Sequence, residues 1–206
     1  LGNALYAGTL EFDLQSTPNA NLIFNGTNGT FSFTPGTDFQ INNVTGGTGS
    51  AMNLFGSISG TFTIGTITTS GGVSSAPVTG TGTLSISDGT DSLTATISFP
   101  PPGINKFGSI GMLNPTGAPN LSNVSYSGTN SDLKSFAGGL SPAGVLAFFN
   151  SHTLAQLAHG GSIVSTPFSG ALTAVVPEPG TMVLALAAAP ALGGFWVSRR
   201  RRKAAV

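Results

Sequence analysis

Apolar side chains in the first 175 residues recur at every second position, in short runs closed by glycine and proline. Leu10, Phe12 and Leu14 alternate with Glu11, Asp13 and Gln15; Phe31 and Phe33 with Ser32 and Thr34; Phe39 and Ile41 with Gln40 and Asn42. A strand turns successive side chains to opposite faces, so each run predicts a half-buried strand. Phe62 and Ile64 continue the pattern to Gly65, where a bulge is expected before Ile67 resumes it. Leu84 and Ile86 face Leu93, Ala95, Ile97 and Phe99 across Asp88-Gly89-Thr90-Asp91, a hairpin signal because Asp-Gly supports the positive φ of tight turns. Thr17-Pro18-Asn19-Ala20, Gly46 to Gly49, Ser70-Gly71-Gly72 and Pro100 to Gly103 separate the remaining strands. The pattern predicts an all-β body over residues 1–175, a single antiparallel β-sandwich of jelly-roll-like form. One segment departs from it. Leu154, Leu157 and Ala158 have helical spacing between Ser151 and Gly160, predicting one short helix capped by Ser151, after which strands return at 163–166 and 169–175.

The body is nearly uncharged. Five of the chain's seven Lys and Arg lie near its C-terminus, which leaves residues 1–176 with Lys106 and Lys134 against six carboxylates, a net of −4. Nucleic acid is excluded as a partner, because phosphates require clustered cations. There is no Cys, hence no disulfide and no thiol chemistry. Candidate chemistry is sparse. His152 and His159 are seven apart, about two helical turns and ~10 Å, too far to share a metal. Glu11 and Asp13 share a strand face at a separation that glycosidase carboxylates use, but two acids so placed more often form a solvated face. Asp88 and Asp91 could offer oxygens to calcium, yet the hairpin accounts for both. The glycine-rich stretches complete no phosphate-binding pattern, and no Ser sits in GxSxG. Asn25, Asn28, Asn43, Asn120 and Asn123 open Asn-x-Ser/Thr triplets, which imply exposed loops. The expectation is a non-enzymatic body with no catalytic residues, cofactor or metal.

Residues 176–206 follow a different plan. Val176-Pro177-Glu178-Pro179 precedes an uncharged, Ala-, Leu- and Val-rich run over 180–198, and Arg199, Arg200, Arg201, Arg202 and Lys203 follow it. At ~1.5 Å per helical residue the run reaches the ~30 Å of a bilayer core. It predicts a transmembrane helix, bent at Pro190, with Trp196 among the headgroups. The basic cluster stays cytoplasmic, so residues 199–206 form a cytoplasmic tail and the body lies on the other side. Both prolines stiffen residues 176–179 into an extended segment carrying the single charge of Glu178. Such a segment suits a groove in a membrane enzyme, since little entropy is lost on capture, and it also suits a plain spacer. The topology requires an export signal, either removed or lying upstream. Leu5-Tyr6-Ala7 could be the remnant of its cleavage site, with Gly8 the first residue of the body.

The order and spacing of these three parts resemble the PEP-CTERM sorting signal of Gram-negative bacteria that make exopolysaccharide. The resemblance covers about residues 176–203, with Pro190 a mild departure from the usual uninterrupted helix. It implies that Pro177, Glu178 and Pro179 are recognised by an exosortase, an integral membrane cysteine transpeptidase that processes the chain near this motif. It also implies a location in the cell envelope, anchored in the inner membrane and then released to the surface or outside the cell. The expected role is that of an exosortase-sorted envelope or extracellular-matrix protein, linked to exopolysaccharide and biofilm. Two alternatives are a carbohydrate-binding surface module, which needs exposed aromatics on one face, and a plain single-span membrane protein.

The topology is testable because native Cys is absent. A single Cys placed at Ser198 or Ala205 should be shielded from an impermeant thiol reagent in intact cells, whereas one at Ser165 should react once the outer membrane is opened. Labelling of the C-terminal Cys from the periplasmic side would reverse the orientation.

Overall fold

A computed structural model describes residues 7–36 and 39–177 of the chain. The period-two runs form two antiparallel sheets. The larger is twelve-stranded, in the spatial order β14 (Leu121–Ser125), β11 (Ser92–Ile97), β10 (Gly82–Ser87), β5 (Phe55–Ser59), β4 (Phe39–Thr45) and β1 (Ala7–Ser16). It continues through β17 (Phe168–Pro177), β15 (Leu140–Phe149), β13 (Ile110–Leu113), β12 (Ile104–Phe107), β8 (Val73–Ala76) and β7 (Thr68–Ser70). The smaller has the order β16 (Ile163–Thr166), β2 (Leu22–Asn25), β3 (Thr30–Phe33), β6 (Thr61–Ile64) and β9 (Val78–Thr79). At the centre of the large sheet β1 pairs with β17 in register from Ala7 opposite Pro177 to Gln15 opposite Ser169.

One apolar core lies between the sheets, and its aromatic rings join them. Phe24 of the small sheet meets Phe148 of the large one at 5.1 Å between centroids, and Phe33 meets Phe168 edge-on at 5.4 Å. Within the small sheet Phe31 stacks on Phe62 at 5.0 Å, and Phe62 meets the edge of Phe99, which follows β11 of the large sheet, at the same distance. Full burial of one such side chain is worth roughly 1.5–3 kcal/mol, so these rings carry much of the apolar stabilisation. Room for them is made by glycine. A Cβ on Gly111 would stand 2.1 Å from Cζ of Phe148, and one on Gly56 would stand 2.2 Å from Cζ of Phe39.

The local signals are realised unevenly. The Asp88–Asp91 turn closes as expected: the Asp88 N–H donates to Asp91 O at 3.0 Å, and Gly89 has φ of 95°. Gly65 does not form a bulge. Its N–H donates to Pro77 O at 2.8 Å, β6 has ended at Ile64, and the chain leaves the small sheet to enter β7 of the large one. The helix expected after Ser151 is α2 (Leu154–His159), capped by Thr153 rather than Ser151. Thr153 and Gln156 make a reciprocal capping box, with Thr153 N–H donating to Gln156 Oε1 at 2.8 Å, and Ser151 has no equivalent partner at the right spacing. A second helix, α1 (Ser131–Ala137), was not expected; Asn130 caps it by accepting from the Asp132 and Leu133 N–H groups. Its Phe136 stacks on Phe12 of β1 at 5.2 Å. The triplet asparagines are not all exposed either, because Asn120 is buried and bonded to Gly144 on both its amide atoms.

The packing of Phe148 against a missing side chain gives a stability test. Gly111→Ala should destabilise the body by about 1–3 kcal/mol through overpacking, read as a shift of the urea midpoint. Combining it with Phe148→Leu should recover part of the loss, since the smaller side chain vacates the position of the added methyl. Simple additivity of the two losses would remove this account of Gly111.

Candidate functional site

The outward faces of the central strands form an open cleft. Alternation along β1 turns Leu10, Phe12 and Leu14 into the core and leaves Glu11, Asp13 and Gln15 outside. The β1–β17 and β15–β17 registers set Gln15 beside Ser169 and Ala147, and Asp13 beside Ala171 and Val145. These small side chains make a low floor. On the other bank β4 shifts register between Asp13 and Leu14, so that Asn42 and Asn43 both stand exposed next to β1. Asn43 Nδ2 donates to Asp13 Oδ2 at 2.8 Å, and Asn42 Nδ2 reaches Gln15 Oε1 at 3.4 Å.

Three adjoining depressions follow this surface. One of about 560 Å³ lies over Asp13, Asn43, Val145 and Ala171. The next, about 350 Å³, lies over Gln15, Asn42, Ala147 and Ser169 and is bounded by Phe149 and Pro167. The third, about 810 Å³, passes Pro167 and the 17–21 turn to Gln40 and Phe55. Phe149 is 63% exposed and Phe55 47% exposed, so an aromatic ring stands at each side. Phe149 also begins a row of exposed apolar residues, with Ile110 and Phe107 opposite one another on β13 and β12.

Among the described residues the cleft has acidic but no basic side chains. Burial, then the charge of Asp13 and a hydrogen bond with it, hold the Glu11 carboxyl above the usual carboxylate range. Lys106 faces inward, donating to Gly108 O and Asn150 O at 2.8 Å with its ammonium 6.0 Å from the Phe148 ring centre. Burial lowers its pKa. Lys134 belongs to α1, which packs through Phe136 on Phe12, a core-facing residue of β1, whereas the cleft lies on the outward face of that strand.

Two other carboxylates are engaged within the fold. Asp132, in the first turn of α1, is buried and accepts from Thr48 N–H at 2.7 Å, Thr48 Oγ1 at 2.9 Å and Ala51 N–H at 3.0 Å. Burial alone would raise its pKa; these donors outweigh it and hold the group below the usual range. Asp88 accepts from Tyr126 OH and from the Thr90 and Asp91 N–H groups, the tyrosine bond being the main cause of its lowered pKa. Its oxygens are used by the turn. Among the described residues no group of three or more His, Cys, Asp or Glu is placed to hold a metal ion.

Of the sorting residues read from the sequence, Pro177 closes β17 opposite Ala7. Glu178, Pro179, the 180–198 run and the Arg199–203 basic cluster lie outside the described residues. Among the described residues no helix is long and apolar enough to cross a membrane. The cleft escaped sequence reading because Ser169 and Ala147 are far from Gln15 in the chain and only strand register brings them together; the outward alternation of Glu11, Asp13 and Gln15 was its one visible signal. No family model matches the chain, and neither a curated protein nor a solved structure shows significant similarity to it.

Asp132 has a pH signature. A carboxylate whose pKa is lowered on folding adds stability above its unfolded pKa of about 3.9 and loses that contribution as pH falls through its folded value. Asp132→Asn should cost about 1–3 kcal/mol at pH 7, because it removes an acceptor from buried donors. The gap between the variant and the wild type in thermal midpoint should narrow as pH falls below about 4. A gap that stays constant to pH 2 would mean that the charge of Asp132 is irrelevant.

Proposed function

We propose that this chain is an exported envelope or extracellular-matrix protein with a non-enzymatic structural role, delivered by its C-terminal segment. Pro177, Glu178 and Pro179 are the recognition motif of an exosortase-like membrane transpeptidase, 180–198 spans the inner membrane, and Arg199 to Lys203 hold the tail in the cytoplasm. The observation that carries this reading is the order of motif, apolar run and basic cluster immediately after the last strand. Val176 is still buried in the sheet, and Pro177 is the last residue of the β1–β17 ladder. Proline has no N–H to donate, so it is a natural end for a central ladder. The motif therefore begins where the body ends, with no intervening linker. The description of the body as a jelly-roll-like sandwich belongs to the same reading and is supported by the two sheets facing one core across Phe24 and Phe148.

Glu178 is the discriminating residue. If residues 177–179 are a spacer, Glu178→Gln changes nothing, because a solvated carboxylate in a linker contributes little. If they are read by an enzyme, loss of the charge leaves a group in the enzyme's groove unpaired at a cost of about 1–3 kcal/mol, a slowing of about five- to 150-fold. In a host carrying an exosortase-like enzyme the wild type should lose its C-terminal segment and leave the inner membrane. Glu178→Gln should accumulate there at full length, as read by intact mass and membrane fractionation. Equal processing of the two would leave a plain single-span membrane protein.

A further inference from the structure

We propose that the cleft over β1, β17 and β15 binds a neutral polysaccharide, with sugar rings stacked on Phe149 and Phe55 and hydroxyls bonded to Gln15, Asn42 and Ser169. The proposal is independent of the sorting reading, since it uses only the body.

Three features of the cleft select this class of ligand. The first is shape. Phe149 and Phe55 lie four strand spacings apart, roughly 20 Å at ~4.8 Å per strand, and the depressions between them are open and shallow. A drug-sized ligand is enclosed by a concave apolar pocket; a polymer lying across a sheet needs no enclosure and can touch both rings.

The second is polarity. Side-chain amides and hydroxyls both donate and accept, as sugar hydroxyls do. Within the cleft Gln15 Nε2, Asn42 Oδ1 and Ser169 Oγ have no partner among the described residues, whereas Asn43 is already bonded to Asp13. The flanking rings supply the complementary element, because the electron-rich face of an aromatic ring attracts the C–H face of a pyranose. Phenylalanine has no polar handle of its own to explain its place on a wet sheet face, and the inward alternatives are occupied by Phe148 and Gly56.

The third is charge. Asp13 lines one end of the cleft, with Glu11 two residues before it on the same strand face, and among the described residues no cation lines it, so uronate, sulfate and phosphate groups are repelled. A protein partner is also a poor match: the floor is Ala, Ser, Gly and Val145, not the large aromatic and Arg anchors on which protein interfaces depend. The exposed row of Phe107, Ile110 and Phe149 leaves a second copy of the chain as the competing occupant.

The test uses the full chain in a polyoxyethylene detergent, whose head group carries no sugar. Native affinity electrophoresis is run in gels containing hydroxyethylcellulose, dextran or galactomannan, and in gels containing the anionic polymer alginate. At least one neutral polymer should retard the wild type and alginate should not. Phe149→Ala and Gln15→Ala should each weaken the apparent Kd about tenfold or more with thermal midpoints unchanged, since both side chains are exposed. Ile163→Ala, on the exposed surface of the small sheet, should bind like the wild type. No retardation in any neutral gel, retardation by alginate alone, or retardation that Phe149→Ala and Gln15→Ala both keep would overturn the proposal. Sedimentation velocity covers the competitor: a dimer that Phe149→Ala dissociates, without retardation by any glycan, would assign this face to a second copy instead.

Discussion

The ladder between β1 and β17 is the constraint on which the rest of the large sheet depends. On one side of it lie β4, β5, β10, β11 and β14; on the other lie β15, β13, β12, β8 and β7. Among the described residues, this is the ladder that joins the two halves of the large sheet. Its inner face contributes Leu10, Phe12, Leu14, Leu172 and Ala174 to the core, so the backbone bonds and the apolar burial reinforce each other. Its outer face is the seam of the cleft, with Gln15 supplied by one half and Ser169 and Ala147 by the other. The candidate glycan surface and the start of the proposed sorting motif thus share one origin.

A body this poor in charge holds its loops by other means. Amide and carboxylate side chains act as staples to the backbone of distant segments. Asp132 and Asn130 of the α1 cap fasten the 48–51 loop, with Asn130 Nδ2 donating to Ser50 O at 2.8 Å. Asn120 grips Gly144 through both amide atoms, and Asn114 Nδ2 donates to Gly144 O at 3.0 Å and Ala118 O at 2.8 Å. Asp132, Asn114 and Asn120 are buried polar groups whose worth lies less in the bond gained than in the penalty for leaving it unmade. The edges are blunted by form, not charge. β7 is only Thr68–Ser70, and β14 is broken by a register shift and by Asn123 at φ of 52°.

Local chemistry was readable and long-range chemistry was not. The Asp88-Gly89 turn and the alternations at Leu10 to Gln15 and Phe31 to Phe33 rest on neighbours a few residues away, and the strands formed there. Thr153 outcompeted Ser151 as a cap because only Thr153 has Gln156 three residues on. α1 was hidden because it offers one apolar pair, Leu133 and Phe136, and its stability comes from the stacking of Phe136 on Phe12. Gly65 looks like a bulge to a reader of one strand; that it passes the chain from one sheet to the other depends on Pro77. The cleft lies at the far end of this scale, since its floor and its polar bank come from opposite ends of the body.

The central place of the first and last strands has a kinetic meaning. A chain made from its N-terminus presents β1 early, with one side joined to β4 and the other bare, and nothing can fill the bare side until β17 has emerged. Closing so long a loop is slow, because its entropy is lost before the ladder repays it. β17 therefore works as a latch. Until it closes, the two halves of the large sheet lack the ladder that joins them. Completion of the fold is tied to arrival of the same strand that leads into Pro-Glu-Pro.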